Sequence, residues 1–151
     1  MRTLHFLRIG FLCLLSLMIS SLVFAQGDEI VKRRKLMESN NEAATKTMSK
    51  AVEAGNFAEI QVEAKKIMQN MDQLLELFPK GSLSEKSRAK PEIWEKWDEF
   101  SKDPDIVKKA AQALADAANA KNEAEVKVKF KALGESCANC HRSFRAPKKG
   151  A

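Results

Sequence analysis

Residues 137–141 read Cys-Ala-Asn-Cys-His, the segment of this chain whose side chains are best suited to bind a metal or form a covalent link. Three chemistries use such residues. Two thiolates and an imidazole can contribute to a zinc site, a Cys-x-x-Cys pair can cycle between dithiol and disulfide, and Cys-x-x-Cys-His can hold a haem. In the last case the thiols add across the vinyl groups and the adjacent imidazole ligates the iron. On a helix Cys137 and Cys140 stand three residues apart and Cys137 and His141 four, so all three can face one side.

The choice depends on what else the chain offers. Residues 1–25 carry Arg2 and Arg8, then an uncharged apolar run from Ile9 to Phe24, and a small residue, Ala25, where signal peptidase needs one. This reads as a cleaved secretory signal. The run falls short of the ~20 residues that comfortably span a bilayer. Cys13 and His5 leave with the signal, so every Cys and His of residues 26–151 falls in the five-residue window. A closed zinc site then lacks its fourth ligand. A thioredoxin-like dithiol wants a βαβ setting that this chain lacks, and a structural disulfide leaves His141 unexplained. The pattern is therefore read as covalent haem: one haem c per chain, thioethers at Cys137 and Cys140, and His141 as axial ligand.

The signal removes two arginines and no acid, so the formal charge falls from +6 to +4. A mildly basic chain suits an acidic protein partner, and no basic and aromatic interleaving points to nucleic acid. Residues 26–151 make one domain. From Asp28 onward Gly and Pro are few and widely spaced, Tyr is absent, and Ala, Lys and Glu fill the intervals, a composition that favours long helices.

Apolar spacing predicts helices over 28–54, 57–78, 104–118 and 123–145. The first carries Ile30, Met37, Ala44 and Met48, and the second Ile60, Ala64, Ile67, Met71, Leu74 and Phe78 before Pro79. Residues 80–90 read as a loop, and Pro91 opens a short aromatic helix with Ile93, Trp94, Trp97 and Phe100. On the last helix Val126, Phe130, Leu133, Cys137, His141 and Phe144 recur at steps of three or four. The expected fold is all-α, an antiparallel four-helix bundle.

Four stretches carry a family resemblance: "IVKRRKLM" (30–37), "LLELFPKGS" (74–82), "AKPEIWEKWDEF" (89–100) and "CANCHRSFR" (137–145). With the haem motif near the C-terminus, the chain resembles the class II c-type cytochromes, the cytochrome c′ group and its low-spin relatives. The resemblance implies a haem in the bundle interior, His141 as proximal ligand, and a first-helix residue over the opposite face. Arg33 matches the arginine that approaches a propionate, and Met37 the distal axial position. Starting from Arg34 instead would put Glu38 over the iron. Trp94 matches an aromatic packed near the haem edge, and Arg145 borders the proximal face. No enzymatic site is implied. The expected function is periplasmic electron transfer with a redox protein partner, membrane-bound or a dehydrogenase, through the low-spin His/Met branch. The alternative is a nitric oxide or carbon monoxide binding protein with an open distal face. The resemblance also allows a homodimer packed through the first two helices, where Ala43, Ala44 and Ala51 are small.

Overall fold

The computed structural model describes residues 28–148, so the expected signal at 1–25 lies outside the described residues. Helix α1 starts as α-helix over 28–42, widens to a π-helical segment at Ala43–Met48, and returns to α-helix at Ser49–Ala54. Gly55 ends it with φ +65°, and the Asn56 N–H reaches back to the Ala51 carbonyl at 2.8 Å. A left-handed residue is needed for that closure, and glycine adopts it without a Cβ penalty.

Asn56 then caps α2 (Phe57–Asp72), its side chain accepting from the Glu59 N–H at 3.2 Å. Ile60, Ala64, Ile67 and Met71 bury one face of α2. The sequence predicts this helix to residue 78, but α-geometry stops at Asp72 and a 3-10 turn, Leu75–Leu77, follows. Pro79 ends that turn, because its ring pushes the preceding residue out of the helical region, and Phe78 sits at φ −122°, ψ 53°.

The aromatic segment forms two short turns, α3 (Glu92–Glu95) and α4 (Trp97–Phe100), separated by Lys96 at φ −118°. Helix α5 (Asp103–Asn119) has Pro104 in its first turn and buries Val107, Ala111, Leu114, Ala117 and Ala118. Helix α6 (Glu123–Phe144) is capped by Asn122, which accepts from the Glu125 N–H at 3.1 Å. Helix α5 packs between α2 and α6, and both α2 and α6 touch α1. The four long helices therefore enclose one core, with no strand among the described residues.

The buried face of α1 differs from the expected stripe. Ile30, Arg33, Leu36, Ala43 and Met48 are buried, whereas Met37 and Ala44 are only partly so. Leu36 packs into the core, which turns the neighbouring Met37 toward a cavity. Ala43 and Met48 are both fully buried although five residues apart. That spacing fits a π-turn, in which each hydrogen bond skips one residue more than in an α-helix. No helix among the described residues is long and apolar enough to cross a membrane.

Candidate functional site

A cavity of about 710 Å³ opens between α1, the loop at 86–89, the α3 and α4 turns, and the C-terminal end of α6. Its apolar wall is built from Met37, Phe78, Ala89, Ile93, Phe100 and Phe144. Cys140 and His141 project into it from α6. Cys137 lies one turn earlier, half-buried against the core and outside the cavity lining.

The aromatic wall is a connected cluster. Phe100 stands edge-on to Phe78 at 4.8 Å between centroids and to Phe144 at 5.3 Å, and Trp97 lies 5.6 Å from Phe100. Such T-shaped contacts set positive ring edges against negative faces and hold the rings in fixed orientation. Phe78 follows the 3-10 turn after α2, Phe100 comes from α4 and Phe144 is the last residue of α6, so the wall locks three segments together.

The polar groups at the cavity come from three segments. Arg33 is 4% exposed, donates through Nη2 to the Ser82 carbonyl at 2.8 Å, and lies 4.4 Å over the Phe78 ring. Its Nε and Nη1 are buried without a hydrogen-bond partner. Arg34 and Glu38, the alternative register, also border the cavity but are exposed and face each other at 3.9 Å. Arg145 places Nη1 3.4 Å from His141 Nδ1. An isolated bridge pairs Ala89 with Arg145, and the Ala146 N–H donates to the Arg88 carbonyl at 2.8 Å. These bonds bring Arg88 to the cavity beside the end of α6.

Burial lowers the His141 pKa first, and the charges of Arg145 and Arg88 lower it further. A lowered pKa favours the neutral imidazole, the form that ligates a metal. Burial also raises both thiols, Cys137 and Cys140, above their usual range.

Of the residues singled out from the sequence, the cavity gathers Arg33, Met37, Cys140, His141 and Arg145. Trp94 is placed elsewhere: half-buried against the core, with its indole N–H donating to the Phe78 carbonyl at 3.1 Å, while its neighbour Ile93 borders the cavity instead. The indole nitrogen needs an acceptor when buried, and the carbonyl exposed by the break before Pro79 supplies one. Phe78 and Phe100 were legible only as packing aromatics. The cavity-facing role of residues 86–89 carries no sequence signal.

The cavity fits a flat apolar cofactor with acidic substituents. It lies within the range of about 300–1,000 Å³ typical of cofactor pockets. The Cys140 thiol and the His141 imidazole stand at one side, and Arg33, with Nε and Nη1 buried without a hydrogen-bond partner, borders another.

A helical bundle with Cys-x-x-Cys-His on the last helix, at the wall of such a cavity, defines a class II c-type cytochrome. The family model described as Cytochrome C′ matches residues 28–145, and the chain belongs to that family. It carries one covalently attached haem c. The chain is 39% identical over 89 residues to a cytochrome c′ of Pararhodospirillum photometricum, covering 58% of this chain and 71% of that one. It is 31% identical over 129 residues to cytochrome c-556 of Agrobacterium fabrum, covering 83% and 86%. A solved cytochrome c′ with ligand-controlled dimer dissociation shares the fold at a TM-score of 0.73 and 24% identity, over 81% of this chain and 97% of that one.

Proposed function

We propose that this chain is an exported electron-transfer cytochrome whose haem is held by thioethers at Cys137 and Cys140, with His141 and Met37 as axial ligands. The observation that supports this reading is that Met37 and His141 reach one cavity from two different helices, α1 and α6. When bound, the haem supplies a one-electron couple. The chain's own part is to fix the ligand pair, to exclude water with the Phe78, Phe100 and Phe144 wall, and to offer Arg33 to a propionate. A thioether sulfur is a soft donor suited to haem iron, and a His/Met pair raises the potential while changing little between oxidation states. Residues 1–25 act as the export signal, the mature chain works in the periplasm with a redox protein partner, and homodimerisation through α1 and α2 is compatible with it. No catalytic site is assigned.

Acidified-acetone extraction of protein made with a haem-maturation system leaves the haem on the polypeptide; haem in the organic phase would overturn the attachment. The absorption spectrum then tests Met37. Sharp low-spin bands in the reduced protein without carbon monoxide binding, both lost in Met37→Ala, are the expected result. A high-spin spectrum that shifts readily with carbon monoxide and is indifferent to Met37→Ala transfers the function to the gas-binding alternative.

A further inference from the structure

The fold gathers the positive charge of the chain at one edge of the cavity. Residues 84–90 carry Lys86, Arg88 and Lys90 against one acid, Glu85, and residues 141–148 carry Arg142, Arg145 and Lys148 against none. Together the two segments hold five net positive charges, against four for the whole of residues 26–151, so the remainder of that span is slightly acidic. Backbone pairing fastens the segments side by side. Ala89 bridges Arg145, the Lys90 N–H donates to the Phe144 carbonyl at 3.1 Å, and Arg88 Nε donates to the Ala146 carbonyl at 2.9 Å. Lys90 Nζ donates to the Ser143 carbonyl at 2.7 Å.

Lys86, Arg88, Arg145 and Lys148 border the cavity from this side, and all four are exposed. Among the described residues none of the four forms an ion pair, nor does the exposed Arg142, whereas Lys90 meets Glu92 at 3.4 Å. The α1 side of the cavity is arranged differently. There Arg34 faces Glu38 and Lys46 faces Glu42, each at 3.9 Å, so the two pairs cancel. Like charges held together repel and oppose compaction. Clustered on one edge, they also make a local potential that selects a partner by its sign.

We propose that the edge formed by residues 84–90 and 141–148 is the docking surface for an acidic one-electron redox protein. This rests on the electron-transfer reading and adds the chemical class of its partner. Carboxylates on the partner meet the unpaired cations, which steer the encounter and turn the partner's redox centre toward the side of the cavity that holds Cys140 and His141. No bond forms or breaks, and the electron lost by the partner is the one gained by the ferric iron. Exposed charges of this kind act chiefly on the association rate, so added salt screens their effect.

The experiment follows reduction of the oxidised holoprotein by reduced plant-type ferredoxin, a small acidic one-electron protein, in stopped flow at low salt and at about 1 M salt. The Lys86 and Lys148 side chains are in no hydrogen bond among the described residues, so they are replaced together. Lys86→Gln/Lys148→Gln lowers the second-order rate constant at low salt by about threefold to tenfold, and Lys86→Glu/Lys148→Glu lowers it further. At high salt the variants converge on the wild-type rate. Lys50→Gln/Lys127→Gln removes the same charge from exposed positions on α1 and α6 outside the cavity lining, and it changes the rate far less. A Lys86→Gln/Lys148→Gln protein that reacts as fast as wild type overturns the proposal. So does an equal fall in the control pair, which would make overall charge the cause. Loss of binding to phosphatidylglycerol vesicles by the Lys86→Gln/Lys148→Gln protein, with its ferredoxin rate unchanged, also overturns it and makes an anionic membrane the occupant. Failure of the electron-transfer reading is separately visible, as a wild-type high-spin spectrum that shifts readily with carbon monoxide.

Discussion

Arg33 Nη2 donates to the Ser82 carbonyl across 2.8 Å, joining the first helix to a loop 49 residues away in sequence. The bond holds a buried cation against the Phe78 ring, and its Nε and Nη1 stay buried without a hydrogen-bond partner. Burial lowers the guanidinium pKa, yet it stays charged, since an arginine is effectively never deprotonated in a protein.

Replacing that arginine tests the joint. Arg33→Ala removes a charged donor and strands a buried carbonyl, a loss of about 1.5–3 kcal/mol. Urea denaturation of the holoprotein is expected to show a lower midpoint at unchanged slope. Arg33→Lys recovers part of the loss, because a lysine keeps the charge but not the planar fork.

Phe100 is the hinge of the aromatic wall, touching Phe78, Phe144 and Trp97. It is fully buried, so Phe100→Ala is expected to cost about 3–5 kcal/mol from lost transfer energy and the cavity left behind. Phe100→Leu costs less, because much of the volume is retained. Chemical denaturation of both holoproteins gives the comparison.

Lys121 joins α5 to α6 with φ 53°, the positive-φ non-glycine residue among the described residues. A side chain with a Cβ pays roughly 1–2 kcal/mol for the left-handed region, and glycine avoids that strain while adding unfolded-state freedom. Lys121→Gly is therefore expected to raise the melting temperature by a few degrees in a thermal scan. A lower melting temperature would show that the lysine side chain supplies more than its strain removes.

The Asp105 carboxyl is held below its usual pKa of 3.8 chiefly by its hydrogen bond to Lys108. A depressed folded-state pKa contributes stability above the unfolded value, which is lost as pH falls through the folded one. Asp105→Asn should thus be less stable than wild type at neutral pH and lose that difference at a pH well below 3.8, flattening the acid side of the stability curve. The pair is exposed, so the difference from wild type should shrink at about 1 M salt, where the Debye length is near 3 Å. Urea titrations at the two pH values, with and without salt, measure it.

Local chemistry made much of this protein legible without coordinates. Asn56 and Asn122 cap helices, Gly55 ends α1, Pro79 ends the 3-10 turn after α2, and the repeat of Ile60, Ala64, Ile67 and Met71 needs one buried face. These features act within a few residues, so the helices follow from the order of the chain. The Cys137, Cys140 and His141 spacing is local in the same sense, and it points to haem only once the rest of residues 26–151 is seen to hold no other Cys or His. What surrounds that motif is not local. Leu36 rather than Met37 fills the core face of α1, since one helix register must satisfy both the bundle and the cavity. Ile93 rather than Trp94 borders the cavity, because the indole nitrogen is claimed by the Phe78 carbonyl. The placement of Arg88 beside the end of α6 depends on the bridge between Ala89 and Arg145, 56 positions apart, and no period or propensity encodes that pairing. Such pairings are settled only when whole elements pack, because long-range contacts are chosen by how helix faces fit together.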